Sequence, residues 1–167
     1  MRALLARAAD RVVPAENPSG VVYGIIVIGA LLAAESGRHE TYLDTVASAA
    51  IAAMLYWFAH AYAEVLGRRL TRQEHLSART LGRALARDWA IVEGAALPLA
   101  ALTIGWIAGA PQQTAVTAAL WSAIASLVAF ELIAGIRSRA SARELALECG
   151  AGAAMGIAIL ALKIVLH

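Results

Sequence analysis

Long apolar runs separated by short polar stretches are the main feature of this sequence. Five runs can be distinguished, at residues 20–35, 43–66, 89–109, 115–136 and 146–166. Each comes close to the roughly 20 residues that a helix needs to cross about 30 Å of hydrocarbon. The first run is short, and the second is long enough to cross with some tilt. The pattern therefore predicts an all-α integral membrane protein with five transmembrane helices in a single domain, residues 1–167.

Two stretches outside these runs have a helical periodicity of their own. In residues 1–13 the apolar side chains fall on one face, which is typical of a short amphipathic helix lying in the membrane interface. The stretch 67–88 contains Leu70, Leu81 and Leu85 among its arginines. It predicts a second amphipathic helix, between spans two and three, whose arginines face anionic lipid headgroups.

The basic residues are distributed asymmetrically along the chain. Twelve of the 14 Lys and Arg residues fall into three clusters, before span one, between spans two and three, and between spans four and five: Arg2, Arg7, Arg11, Arg68, Arg69, Arg72, Arg79, Arg83, Arg87, Arg137, Arg139 and Arg143. With five spans, all three clusters lie on one side of the membrane. Because basic loops stay in the cytoplasm, we expect a cytoplasmic N-terminus and an outside C-terminus, most simply in the inner (plasma) membrane.

The composition agrees with this interpretation. The chain is 60% hydrophobic and only 16% charged, whereas the surface of a soluble domain needs more charge. The net charge of +2 reflects the clustered arginines, which indicate membrane orientation and not a nucleic-acid partner. The single cysteine, Cys149, excludes an internal disulfide and a CxxC motif.

Ionisable residues recur near the predicted cytoplasmic ends of four spans. His60 and Glu64 lie in span two, and Glu93, Glu131 and Glu148 lie at similar depth in spans three, four and five. An ionisable side chain costs about 2.5–3.5 kcal/mol at the centre of a span and less toward its ends. We therefore predict that these five residues face one another around a polar site and are candidate metal ligands.

Each of these residues also has a purely structural interpretation. Three carboxylates have an arginine nearby in sequence with which they can pair at the interface: Glu64 with Arg68, Glu93 with Arg87, and Glu131 with Arg137. Glu148 suits the first turn of a helix, where an acid interacts favourably with the helix dipole. His60 taken alone suits a packed, hydrogen-bonded histidine.

Two regions resemble the vacuolar iron transporter family. The stretch AEVLGRRLTRQE after span two is similar to that family's glutamate-bearing helix end, and ALWSAIASLVAFELIAGIRSR with ALECGAGAAMGIAIL is similar to its last hairpin. The resemblance implies five spans in the same orientation, proton-coupled export of ferrous or similar divalent cations, and a dimer, with Glu64 as the matching site residue. Two departures are visible, since span one has no aspartate and the loop at 67–88 is basic.

The predicted site favours a small transporter or channel for a cation. Several carboxylates with an imidazole suit Fe, Mn or Zn, and a buried Glu–His cluster also suits protons. One alternative is a non-catalytic accessory or assembly subunit in which buried polar groups only hold helices together. A metal-dependent intramembrane enzyme is less consistent, because the sequence contains no Glu-x-x-His or HExxH spacing. The many glycines and alanines favour a homo-oligomer, most simply a dimer.

Overall fold

The computed structural model describes residues 17–35, 41–72, 77–138 and 141–166, and these residues form six helices. The helices are α1 (Pro18–Glu35), α2 (Tyr42–Arg72), α3 (Ala78–Asp88), α4 (Ala90–Ile107), α5 (Gln112–Ser138) and α6 (Ala142–Leu166). Each predicted span overlaps one of the five longer helices, and no strand occurs among the described residues. The all-α prediction is therefore confirmed for them. The predicted interfacial helix at 1–13 lies outside the described residues.

The length and composition of the helices indicate an integral membrane protein. Four segments of the described chain are long and apolar enough to cross a membrane: Tyr42–Thr71, Ala78–Ile107, Gln112–Ser138 and Arg143–Val165. The outward-facing side chains agree with this, since Ile51, Leu55 and Ile107 are 67%, 66% and 80% exposed. Large apolar side chains with that exposure are suited to contact with lipid tails.

The shortest apolar helix, α1, occupies the centre of the bundle. It contacts α2, α4, α5 and α6, and its residues Ile25, Ile28 and Leu32 are almost fully buried. The sequence of α1 explains this position, because a helix that is apolar on all sides can be surrounded by other helices without burying a polar group.

A close backbone contact joins α1 to α4. A Cβ atom at Gly24 would overlap the carbonyl oxygen of Ile91, and a Cβ atom at Gly94 would overlap the carbonyl oxygen of Val21. Only glycine therefore fits at either position. Small residues permit such close approach between membrane helices, whose association depends on packing because lipid is as apolar as the side chains.

The helices α3 and α4 are separated only by a turn at Trp89. Ser77 caps α3 by accepting a hydrogen bond from the backbone N–H of Thr80, at 3.1 Å. The apolar face of α3 packs against the second half of α2, where Ala61 and Val65 are buried together with Ala84. Leu81 and Leu85 complete this contact. The predicted amphipathic segment 67–88 is thus helical over Ala78–Asp88, where these two leucines contact protein, whereas Leu70 belongs to α2 and is exposed.

Polar contacts hold together the opposite end of the bundle, where α1 ends and α2 begins. The hydroxyl of Tyr42 donates to the carbonyl oxygen of Ala110 in the turn between α4 and α5. The side-chain amide of Gln112 donates to the hydroxyl of the buried Thr45, at 2.9 Å. Gly109 has a φ of 71° in the same turn, a backbone conformation that favours glycine.

The helix contact at Gly24 yields a stability prediction. We expect Gly24→Ala to destabilise the protein by about 1–3 kcal/mol, because the added methyl group forces α1 and α4 apart. Gly150→Ala on α6 is the matched control, since a Cβ atom there meets no atom within 4 Å. Replacing an open helical glycine with alanine should instead stabilise by up to about 1 kcal/mol. Thermal unfolding in detergent measures both, and equal melting temperatures for the two variants would contradict the packing described here.

Candidate functional site

Arg87, at the end of α3, contacts carboxylates on two helices. Its Nη1 donates to Oε1 of Glu64 on α2 at 2.9 Å, and its Nη2 pairs with the other oxygen of Glu64. Its Nε donates to Oδ1 of Asp88 at 3.0 Å, and Nη2 also reaches Oδ2 of Asp88 at 3.3 Å. The planar guanidinium presents several donors at once, which is why an arginine suits this position.

Asp88 is the buried member of this group, at 1% exposure. Asn17, directly before α1, donates from Nδ2 to Oδ1 of Asp88 at 3.2 Å and to the carbonyl oxygen of Arg87 at 3.3 Å. The amide oxygen of Asn17 accepts from the backbone N–H of Gly20 at 3.0 Å, as expected of an N-cap. A buried carboxylate persists when it is paired and hydrogen-bonded, and here its partners connect the start of α1 with α2 and the α3–α4 junction.

Glu64 also pairs with an arginine on its own helix. Nη1 of Arg68 lies 3.4 Å from Oε1 of Glu64, at the i,i+4 spacing. The pairing with Arg68 was the structural interpretation of Glu64 in the sequence. The pairing of Glu64 with Arg87 was not expected from the sequence, because Arg87 is closer in sequence to Glu93. Both arginines neutralise Glu64, so its charge serves the contact between α2 and α3.

His60 lies among aromatic rings between α1 and α2. Its ring centroid is 5.9 Å from that of Tyr23 and 6.1 Å from that of Tyr56. One turn earlier, Trp57 donates from Nε1 to the carbonyl oxygen of Leu85 at 2.9 Å and meets Trp89 edge-to-face at 5.2 Å. The half-buried His60 is therefore packed between tyrosines, whereas the hydrogen bond of its structural interpretation is not present among the described residues.

The other predicted carboxylates lie elsewhere in the bundle. Glu93 is exposed on α4, and Glu131 is half-buried on α5, with its Cγ atom against Gly152 of α6. Neither forms an ion pair or hydrogen bond with another described residue. Glu148 belongs to α6, and its side chain lies outside the described part of the structure.

The described residues contain no group of three or more His, Cys, Asp or Glu side chains that could hold one metal ion. Glu64 does not meet Glu93, because Glu64 contacts Arg87 at the end of α3 and Glu93 lies further along the chain in α4. Arg87 lies six residues before Glu93, which is about 9 Å along a helix. The five-residue metal site stays a prediction, and its described members are placed against different neighbours.

Two residues of the charged group were not anticipated from the sequence. Asp88 and Asn17 are the buried carboxylate and the amide that completes its hydrogen bonds. The available signal was an Arg–Asp pair directly before the apolar run at 89–109, and an Asn directly before Pro18, the first residue of α1. An Asn in that position is typical of a helix cap.

Comparison with known proteins does not place the chain in a family. It matches no protein-family model, no curated protein and no solved structure. The resemblance to the vacuolar iron transporter family therefore depends on the quoted residues alone, and the site is interpreted from its own geometry.

Arg87 should contribute to stability, because it is the charged partner of the buried Asp88. We expect Arg87→Gln to lower the free energy of unfolding by about 1–3 kcal/mol, because a buried carboxylate loses its charged donor. The partly exposed pair with Glu64 contributes less than about 1 kcal/mol of this. Arg83→Gln, an exposed residue on the same helix, should change stability by less than about 0.5 kcal/mol.

A double variant separates the charge from other effects of the Arg87 substitution. In Arg87→Gln with Asp88→Asn the buried group is neutral, so part of the lost stability should return. Chemical or thermal unfolding of the singles and the double in detergent provides the measurement. Purely additive losses would argue against the Arg87–Asp88 contact.

Proposed function

We propose that this protein is a small membrane transporter or channel for a cation, with Glu93 and Glu131 as the ion-handling carboxylates. The observation that carries the proposal is a contrast among the acidic residues. Glu64 and Asp88 are neutralised by Arg87, whereas Glu93 and Glu131 have no cationic partner among the described residues. A carboxylate in a membrane helix needs water, a proton or a cation to offset its cost.

The two carboxylates lie at similar depth on neighbouring helices. Glu93 is level with Val21 of α1, because the residue after Glu93 packs against Val21. Gly29 of α1 faces Ala123 of α5, and α5 runs antiparallel to α1. Eight residues separate Val21 from Gly29 and Ala123 from Glu131, which is about 12 Å in each helix. Glu131 is therefore also level with Val21.

The arrangement suits protons, or a cation that keeps part of its hydration shell. Each carboxylate supplies oxygen ligands that suit Fe, Mn or another divalent ion. Carboxylates in membrane helices also serve as proton relays in pumps and transporters. The proposed transported ion is therefore either a divalent cation or a proton.

In the proposed orientation, the end of the bundle where α1 begins faces the cytoplasm. Arg79 and Arg83 are exposed on α3, at the end of the bundle where α1 begins, and Arg69 is exposed near the end of α2. By the positive-inside rule this end is cytoplasmic, in the inner (plasma) membrane, with the exposed arginines near anionic lipid. Glu93 and Glu131 then lie near the cytoplasmic side, in a protein that functions as a homo-oligomer, most simply a dimer.

The second candidate function is a non-catalytic accessory or assembly subunit. The contacts of Arg87 favour it, because they use Glu64 and Asp88 to hold helices together. In that case Glu93 and Glu131 are interfacial residues with no role in ion movement.

Charge-removing variants distinguish the two functions. We expect Glu93→Gln and Glu131→Gln each to keep the melting temperature within a few degrees while lowering ion flux at least tenfold, because the amide keeps the shape and removes the charge. The measurement is flux of H⁺, Fe²⁺, Mn²⁺ and Zn²⁺ into proteoliposomes. The double variant should be scarcely worse than the singles, since an ion that passes both carboxylates in turn is already stopped by the loss of either one.

Glu64→Gln is the matched control, one that should behave in the opposite way. It removes the contact with Arg87 and should lower thermal stability by under about 1 kcal/mol while flux per folded protein is retained. Wild-type flux in both the Glu93 and Glu131 variants would favour the accessory subunit.

The orientation has its own test in single-cysteine variants. With Cys149 replaced by Ala, Arg79→Cys and Ser138→Cys should react with a membrane-impermeant maleimide only from the cytoplasmic side. Gln113→Cys, at the start of α5, should react only from outside. All three positions are exposed, and labelling of 79 and 113 from the same side would contradict the proposed topology.

A further inference from the structure

An apolar groove lies on the outer surface of the hairpin formed by α4 and α5. Its volume is about 430 Å³, within the range of small-molecule sites. The lining residues are small or aliphatic: Leu97, Ala100, Ala101 and Ile104 from α4, and Ser122, Ala125, Ser126 and Ala129 from α5. The alanines and serines create the groove, because larger side chains at these positions would fill it.

The two serines do not make the groove polar. The hydroxyl of Ser122 donates to the carbonyl oxygen of Ala119 at 2.7 Å, and the hydroxyl of Ser126 donates to that of Ser122 at 2.7 Å. Since both hydroxyl hydrogens are used within α5, the walls offer no free donor for a polar ligand. Whatever occupies the groove is therefore apolar along its length.

Among the described residues, the acidic side chain of Glu93 lies close to one end of the groove. Glu93 lies one helical turn before Leu97 on the same face of α4, and both side chains are exposed. No described residue forms an ion pair with Glu93. A negative charge beside an apolar groove complements a ligand that is apolar and positively charged, and it disfavours an anionic lipid or a fatty acid.

From this complementarity we infer that the α4–α5 groove binds a lipophilic organic cation, with its apolar groups in the groove and its positive charge at Glu93. The inference rests on the proposed function, because it takes Glu93 to be the cation-binding group, and it deepens that function by naming a substrate class. A proton on Glu93 and an organic cation compete for the same carboxylate, so binding of one releases the other.

Tetraphenylphosphonium is the probe for the first experiment, with the full chain in phosphatidylcholine nanodiscs and empty nanodiscs subtracted. We expect saturable binding to the wild type. Tetraphenylborate, which has a similar shape and the opposite charge, should bind at least tenfold more weakly. Equal binding of the two ions would overturn the inference, because it would show that shape alone is recognised.

Variants locate the bound cation. Glu93→Gln and Ala125→Leu should each weaken tetraphenylphosphonium binding at least tenfold, the first by removing the charge and the second by filling the groove. Ala134→Leu, an exposed position on the opposite face of α5, is the matched control and should bind within twofold of wild type. Ala100→Leu fills the groove from α4 and replaces Ala125→Leu if that variant melts at a lower temperature. Unchanged binding in both the charge and the filling variants would overturn the inference.

Three further outcomes have a defined meaning. A change from dimer to monomer in Ala125→Leu, measured by mass photometry, would place a second copy of the chain in the groove and overturn the inference. Loss of H⁺ or metal flux in Glu93→Gln without tetraphenylphosphonium binding to the wild type would retain the proposed function and overturn only the organic cation. Binding that depends on Glu93 without any flux would retain the groove site and reject transport.

Discussion

The close approach of α1 and α4 at Gly24 and Gly94 is the contact on which the other helix positions depend. Hydrocarbon offers no hydrophobic driving force for helix association, so shape complementarity must hold these two apolar helices together. With glycine at both positions, the backbone of each helix lies directly against the other. This places α1 in the centre, where α2, α5 and α6 also pack against it. A side chain at either glycine would move α1 and so alter its interfaces with α2, α5 and α6.

The position of α1 determines where the charges meet. Because α1 and α4 are in register at their N-terminal ends, Asn17 reaches the junction of α3 and α4 and bonds to Asp88. Arg87 then lies between Asp88 and Glu64, and α3 lies along the second half of α2. A buried carboxylate alone would be unfavourable, but with an amide and a guanidinium it fixes the register of three helices. The charged group is thus a structural consequence of the central helix.

The same arrangement separates neutralised from unpaired carboxylates. Glu64 is held by Arg68 and Arg87, whereas Glu93 faces outward beside the groove and Glu131 faces α6. The distinction matters for function, since only a carboxylate without a fixed cationic partner can exchange a proton or a cation at low cost. Of the predicted site carboxylates that the structure describes, those without an ion pair are thus Glu93 and Glu131 of the α4–α5 hairpin.

The sequence by itself determined the class of fold and the approximate helix positions. Runs such as 115–136 are long and apolar enough to specify a membrane helix, because hydropathy and length act locally. The pairing of Glu64 with Arg68, a contact within one helix, was one of the two interpretations that the sequence offered for Glu64. Only the tertiary structure decided that Arg87 pairs with Glu64 and Asp88, because that contact depends on how α3 folds back against α2. The depth of a residue along a helix follows from its residue number. The direction in which its side chain points depends instead on how the helix is rotated in the bundle. An apolar helix has no polar face from which that rotation could be inferred.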